Sequence, residues 1–80
     1  MRLDKYLKVS RLIKRRTVAN EACDNECVSV NGKTARASYE VKAGDLIEIR
    51  FGARVIRVEA LTVTDTATKD AAAGMYRELS

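Results

Sequence analysis

An α+β fold, two N-terminal helices packed on a small antiparallel sheet with a short C-terminal helix, is what the order of hydrophobic periods in this chain predicts. Three observations carry that expectation. Apolar residues recur at helical spacing in the first part, strict alternation takes over from Val28, and Asn31-Gly32 sits just beyond the first alternating run.

Taken in order, Leu3, Tyr6, Leu7, Leu12 and Ile13 form an apolar stripe, while basic residues stand at positions 2, 5, 8, 11 and 14. A spacing of three drifts around a 3.6-residue helix, so a turn is expected near Val9 and Ser10. The second helix is expected to begin at Thr17, whose hydroxyl can cap free N–H groups, and to bury Val18, Ala19, Ala22 and Cys23. Val28-Ser29-Val30 then alternates, and Asn31-Gly32 offers two residues able to take positive φ in a tight hairpin. The return run from Thr34 to Ser38 alternates weakly and is expected to be partly irregular. Gly44-Asp45 turns the chain into Leu46 to Phe51, with Ile47, Ile49 and Phe51 on one face. Gly52-Ala53 ends that strand, and Arg54 to Thr64 follows with Ile56, Val58 and Ala60 on one side. Lys69 to Leu79 is Ala-rich, and Met75, Tyr76 and Leu79 at helical spacing predict a C-terminal helix covering the sheet.

Eighty residues make one domain, too small for elaborate strained machinery. There is no His and no Trp, so His-based nucleophilic, acid–base and metal chemistry is absent. Cys23 and Cys27 cannot complete a typical zinc site; Cys23 is expected in the core and Cys27 at the helix exit, unpaired in a reducing cytosol. The longest apolar run is Ala71 to Ala73, which predicts no membrane span, and the first residues lack the apolar region of a signal peptide. A cytoplasmic protein without cofactor or metal is expected.

Charge placement says more than the net +4. Residues 1–16 hold Arg2, Lys5, Lys8, Arg11, Lys14, Arg15 and Arg16 against Asp4 alone, whereas the rest of the chain is slightly acidic. Such one-sided charge suits a polyanion, nucleic acid first. Cations at a helix entrance oppose the macrodipole, so helix stability does not account for Arg15 and Arg16, and an external anion would. Asp4 reads as a structural carboxylate that meets the helix dipole or restrains a neighbouring Arg. Tyr6, on the Leu3/Leu7 stripe, reads as core rather than a base-stacking ring. Glu40 and Asp45 read as solvated turn residues. One Phe and three Tyr give no stacking platform, which leaves recognition of shape and phosphate.

Four blocks in sequence, Arg2-Leu3-Asp4-Lys5-Tyr6-Leu7, Arg15-Arg16-Thr17-Val18-Ala19, Val28-Ser29-Val30-Asn31-Gly32-Lys33 and Val41-Lys42-Ala43-Gly44-Asp45, resemble the RNA-binding domain named for ribosomal protein S-four. The resemblance covers residues 1–52. It implies that family's fold, the alpha-L RNA-binding motif, with its core in residues 1–52; the RNA-binding domain is expected to span 1–66, followed by the C-terminal helical extension over 67–80. Lys8 to Thr17 and Ala71 to Tyr76 look like the stand-alone bacterial RqcP family. That resemblance implies a non-enzymatic factor bound to the large ribosomal subunit when stalled peptidyl-tRNA remains on it. Its implied partners are ribosomal RNA, peptidyl-tRNA and the tail-elongating factor RqcH, which adds alanine; off the ribosome a monomer is expected. Arg2 and Arg16 match the positions expected to hold RNA, Lys5, Arg11, Lys14 and Arg15 would extend that surface, and Lys33 could reach a neighbouring phosphate. Two departures stand out: Glu26 replaces the Gly usual at the helix end, with Asn25 expected to absorb part of the strain, and Ala43 replaces a Pro.

The alternatives are a heat-shock-protein-fifteen-like RNA binder that rescues blocked large subunits and a helix-turn-helix DNA regulator. The first is expected to carry a longer basic C-terminus than Glu78-Leu79-Ser80. The second is disfavoured by Glu21, Asp24 and Glu26 on the second helix. A domain working beside a catalytic partner, as in pseudouridine synthases, is a remote third.

Overall fold

The computed structural model describes residues 1–64, 72 and 74–79. Helix α1 (Leu3–Val9) is followed by α2 (Arg16–Asp24), then strands β1 (Val28–Val30), β2 (Lys33–Thr34), β3 (Leu46–Phe51), β4 (Arg54–Ala60) and β5 (Tyr76–Glu78). The strands form one antiparallel sheet in the order β2-β1-β3-β4-β5.

The apolar stripe becomes the inner face of α1: Leu3, Tyr6 and Leu7 are fully buried. At about 25 cal/mol per Å² of apolar surface, each contributes on the order of 2 kcal/mol to closing the core. They form one cluster with Ala19 and Cys23 of α2, Val28 and Val30 of β1, Ile47 and Ile49 of β3, and Val58 and Ala60 of β4. Tyr6 is a core residue, as its place on the stripe predicts, and its hydroxyl donates to the Met75 carbonyl at 2.7 Å. Burial, with the Tyr76 phenol nearby, pushes its pKa up to about 12.

Turns sit where the sequence puts them. Helix α1 ends at Ser10, where the expected turn falls, and Asn31 and Gly32 take φ 53° and 84° to close the β1–β2 hairpin. Only Lys33–Thr34 pairs on the return, and residues 35–38 run irregularly, as the weak alternation predicts.

Four expectations are corrected. Helix α2 starts at Arg16, with Arg15 in extended conformation at its N-cap and no side chain capping it, so Thr17 lies inside the helix. Val18 faces outward, because the nine-residue helix buries only Ala19 and Cys23 fully. Phe51 also faces solvent, at the end of β3 where the core has run out. Finally, the C-terminal helix expected over Lys69 to Leu79 gives way at Tyr76–Glu78 to strand β5, and residues 65–71, 73 and 80 lie outside the described residues. Three residues cannot distinguish helical from extended spacing, and β4 offers an open edge whose backbone groups need partners. Pairing Val58 with Glu78 and Ala60 with Tyr76 supplies them, and Arg77 reaches Glu59 across the strands at 2.8 Å.

Candidate nucleic-acid interface

The site begins with a pinned N-terminus. Residues 1–3 run beside 39–41: Leu3 N–H donates to the Tyr39 carbonyl, Val41 N–H to the Met1 carbonyl, and Arg2 faces Glu40 in an antiparallel bridge. The Met1 ammonium adds an ion pair with the Glu40 carboxylate at 2.9 Å, whose hydrogen bond and charge hold that carboxyl below its usual pKa. Arg2 therefore projects from a fixed backbone with its side chain half exposed. Sequence places Glu40 in a solvated turn; it is exposed, but its partner is the chain's own terminus.

Asp4, two residues on, has a side chain only 3% exposed. Its Oδ1 accepts from the Lys5 N–H at 2.8 Å and the Arg2 Nε at 3.2 Å, and its Oδ2 from the Arg16 Nε at 3.4 Å and the Asn20 Nδ2 at 3.3 Å. Burial by itself raises the Asp4 pKa, but the hydrogen bonds from Arg2, Asn20 and Arg16 outweigh it and hold the carboxyl below its ordinary value. Asp4 thus restrains not one Arg but two, from different elements. Both guanidiniums meet it through the inner nitrogen and stay half exposed.

Arg2 and Arg36 share a groove with Asn20, Asp24, Glu26 and Ser38, and a second groove lined by Lys33, Arg36 and Tyr39 adjoins it. Arg36 joins the two, linking Arg2 to Lys33. Sequence reading missed it, because the only signal was a charge inside a segment of failing alternation. Lys5 on α1, the exposed Arg11 and Lys14 of the α1–α2 connection, and Arg15 at the N-cap line neither groove. Arg11 takes φ 65°, the left-handed conformation that ends α1.

The hairpin beside these grooves is braced by Asp45, which is buried rather than solvated as the sequence suggests. Its carboxylate accepts from Asn31 Nδ2 (3.1 Å), the Tyr39 hydroxyl (3.1 Å) and the Lys42 N–H (2.9 Å). Asn31 Oδ1 in turn receives the Leu46 N–H at 3.0 Å, so the hairpin tip is tied to the start of β3. Lys33 is carried on that braced tip. Cys23, buried in the core, has its thiol pushed up to about 11 by burial and by the nearby Asp4 and Asp24 charges, which makes it a poor nucleophile.

An S4 domain family model matches residues 1–47, the segment that holds Asp4, both of its arginines, and the hairpin with its Asp45 brace. The chain belongs to the S4-domain family. Relatives of this S4 domain extend over most of its length. A protein named RQC P-site tRNA stabilizing factor from Streptococcus pneumoniae is 52% identical over 80 residues, covering 100% of this chain and 91% of that protein. A Bacillus subtilis protein of the same name is 53% identical over 76 residues, 95% and 88% of the two chains. Among solved structures, Vibrio cholerae Heat Shock Protein 15, described as trimeric, matches this S4 domain with a TM-score of 0.90 and 30% identity over 100% of it and 82% of that chain. Among the described residues no helix is long and apolar enough to cross a membrane.

Proposed function

We propose that this chain is a non-enzymatic RNA-binding factor of ribosome-associated quality control. It binds the large ribosomal subunit that carries stalled peptidyl-tRNA, contacts ribosomal RNA and that tRNA, and supports alanine tailing by RqcH in the cytoplasm. The observation that carries this reading is full-length similarity, at 52% identity, to a protein named for stabilising P-site tRNA in this process.

The site supports the same reading chemically. Arg2 and Arg16 present two guanidiniums, whose planar forks can each bond two phosphate oxygens. Arg15 and Arg16 stand at the start of a helix that no side chain caps, where backbone N–H groups and cations together favour an anion. Lys5, Arg11, Lys14 and Arg15 extend the positive surface, and Lys33 and Arg36 continue it along the adjoining grooves.

A second reading, a heat-shock-protein-fifteen-like binder of blocked large subunits, draws support from the TM-score of 0.90. Cosedimentation separates the two. Wild type and the Arg2→Ala/Arg16→Ala variant are mixed at constant salt with large subunits bearing peptidyl-tRNA, empty large subunits, intact ribosomes and duplex DNA. Selective co-migration with the peptidyl-tRNA-bearing subunit, lost in the folded double variant, is expected. Equal binding to empty subunits would favour the second reading, and absence from every ribosomal fraction would overturn both.

A further inference from the structure

We propose that Asp4 is a positioning residue of this interface: one buried carboxylate holds Arg2 and Arg16 on its two oxygens and presets both guanidinium forks for one stretch of RNA backbone. The inference rests on the RNA-binding reading above. Three observations carry it. Arg2 comes from the pinned N-terminal segment and Arg16 from the first turn of α2, so without a shared anchor their separation would depend on two long, half-exposed side chains. The anchor is itself fixed, since the Lys5 N–H and Asn20 Nδ2 complete its hydrogen bonding, and Asn20 follows Arg16 by four residues on the same face of α2. Finally, the Asp4 side chain is only 3% exposed, so RNA meets the arginines and not the carboxylate.

Coulomb's law and positioning give opposite signs here. A carboxylate beside a phosphate-binding surface repels phosphate, so neutralising it should tighten binding if charge alone mattered. If Asp4 acts by ordering the arginines, neutralising it weakens binding, because binding must then order both side chains itself.

The near-isosteric Asp4→Asn variant decides between them. Its amide oxygen can still accept the Lys5 N–H, while the net charge rises by one. With fluorescently labelled full-length protein and purified large subunits bearing peptidyl-tRNA, at constant salt, a loss of about tenfold in affinity is expected. Unchanged or tighter binding by the folded variant overturns the proposal. A double-mutant cycle with Arg16→Lys adds a readout that a purely structural role would not move: the cost of Arg16→Lys should shrink in the Asp4→Asn background, and full additivity counts against positioning. If Asp4→Asn does not fold, the wild-type protein still answers by nitrogen-15 NMR. The Arg2 and Arg16 Nε–H signals should be shifted and protected from exchange before any RNA is added, and solvent-like signals overturn the proposal. The RNA-binding reading fails separately: it falls if the wild-type protein is absent from every ribosomal fraction, whereas undiminished binding by Arg2→Ala/Arg16→Ala overturns the positioning proposal alone.

Discussion

Glu26 occupies φ 60° at the end of α2, in a backbone conformation that suits glycine. The hydrogen bonds define a Schellman motif: Glu26 N–H donates to the Cys23 carbonyl and Cys27 N–H to the Ala22 carbonyl. The sequence marks this position as strained, but Asn25, at φ −86°, absorbs none of the strain. Glu26→Gly should therefore stabilise the fold by about 1 kcal/mol, a rise of roughly 4–8 °C in Tm by differential scanning calorimetry. Asp4 yields a pH prediction. Its pKa is held below the ordinary value of 3.8, so its stabilising contribution is complete above that value and is lost as pH falls through the lowered one. Between pH 5 and 2, Tm should drop more steeply for wild type than for Asp4→Asn. Asp45 escaped sequence reading because a Gly-Asp pair looks the same whether its carboxylate faces water or three internal donors.

At the scale of elements, legibility followed the strength of the local signal. Strands β3 and β4 and the Asn31-Gly32 hairpin were readable because alternation and turn chemistry agree there. The start of α2 was not, because its N-cap is an Arg that the sequence gives no reason to place there. Nor was β5, whose conformation is decided by the open edge of β4, a partner distant in sequence. The residue before that strand belongs to the core, with Tyr76 packed partly buried against it: Met75 is 1% exposed, and its carbonyl accepts from the Tyr6 hydroxyl and from the Leu61 and Thr62 N–H groups. Deleting residues 75–80 should thus lower stability by several kcal/mol, through lost Met75 burial and hydrogen bonds left open, measured as a large fall in the urea midpoint.

At the scale of the whole molecule, charge is placed unevenly along the chain. On the sheet, Arg57 pairs with Glu48 at 3.0 Å and Arg77 with Glu59 at 2.8 Å. The N-terminal segment has seven basic residues and a single acidic one, already shared between Arg2 and Arg16. Arg57→Ala and Arg77→Ala should therefore leave large-subunit binding within about twofold, whereas Arg2→Ala or Arg16→Ala should weaken it at least tenfold in the same assay. If five cations neutralise phosphates, log affinity should fall with log salt at a slope of about −3.5. This polarity was legible from composition by segment; the junction between Arg2 and Arg36 was not, because it depends on an irregular stretch folding back against the N-terminus.

The bond between Tyr6 and Met75 spans 69 positions of the chain. A ribosome adding about 5–20 residues per second emits the second partner roughly 3–14 s after the first. Throughout that interval the nascent chain can form its hairpins but cannot seat its first helix in the finished core. Closure of this core thus waits for β5, however early α1 has left the exit tunnel.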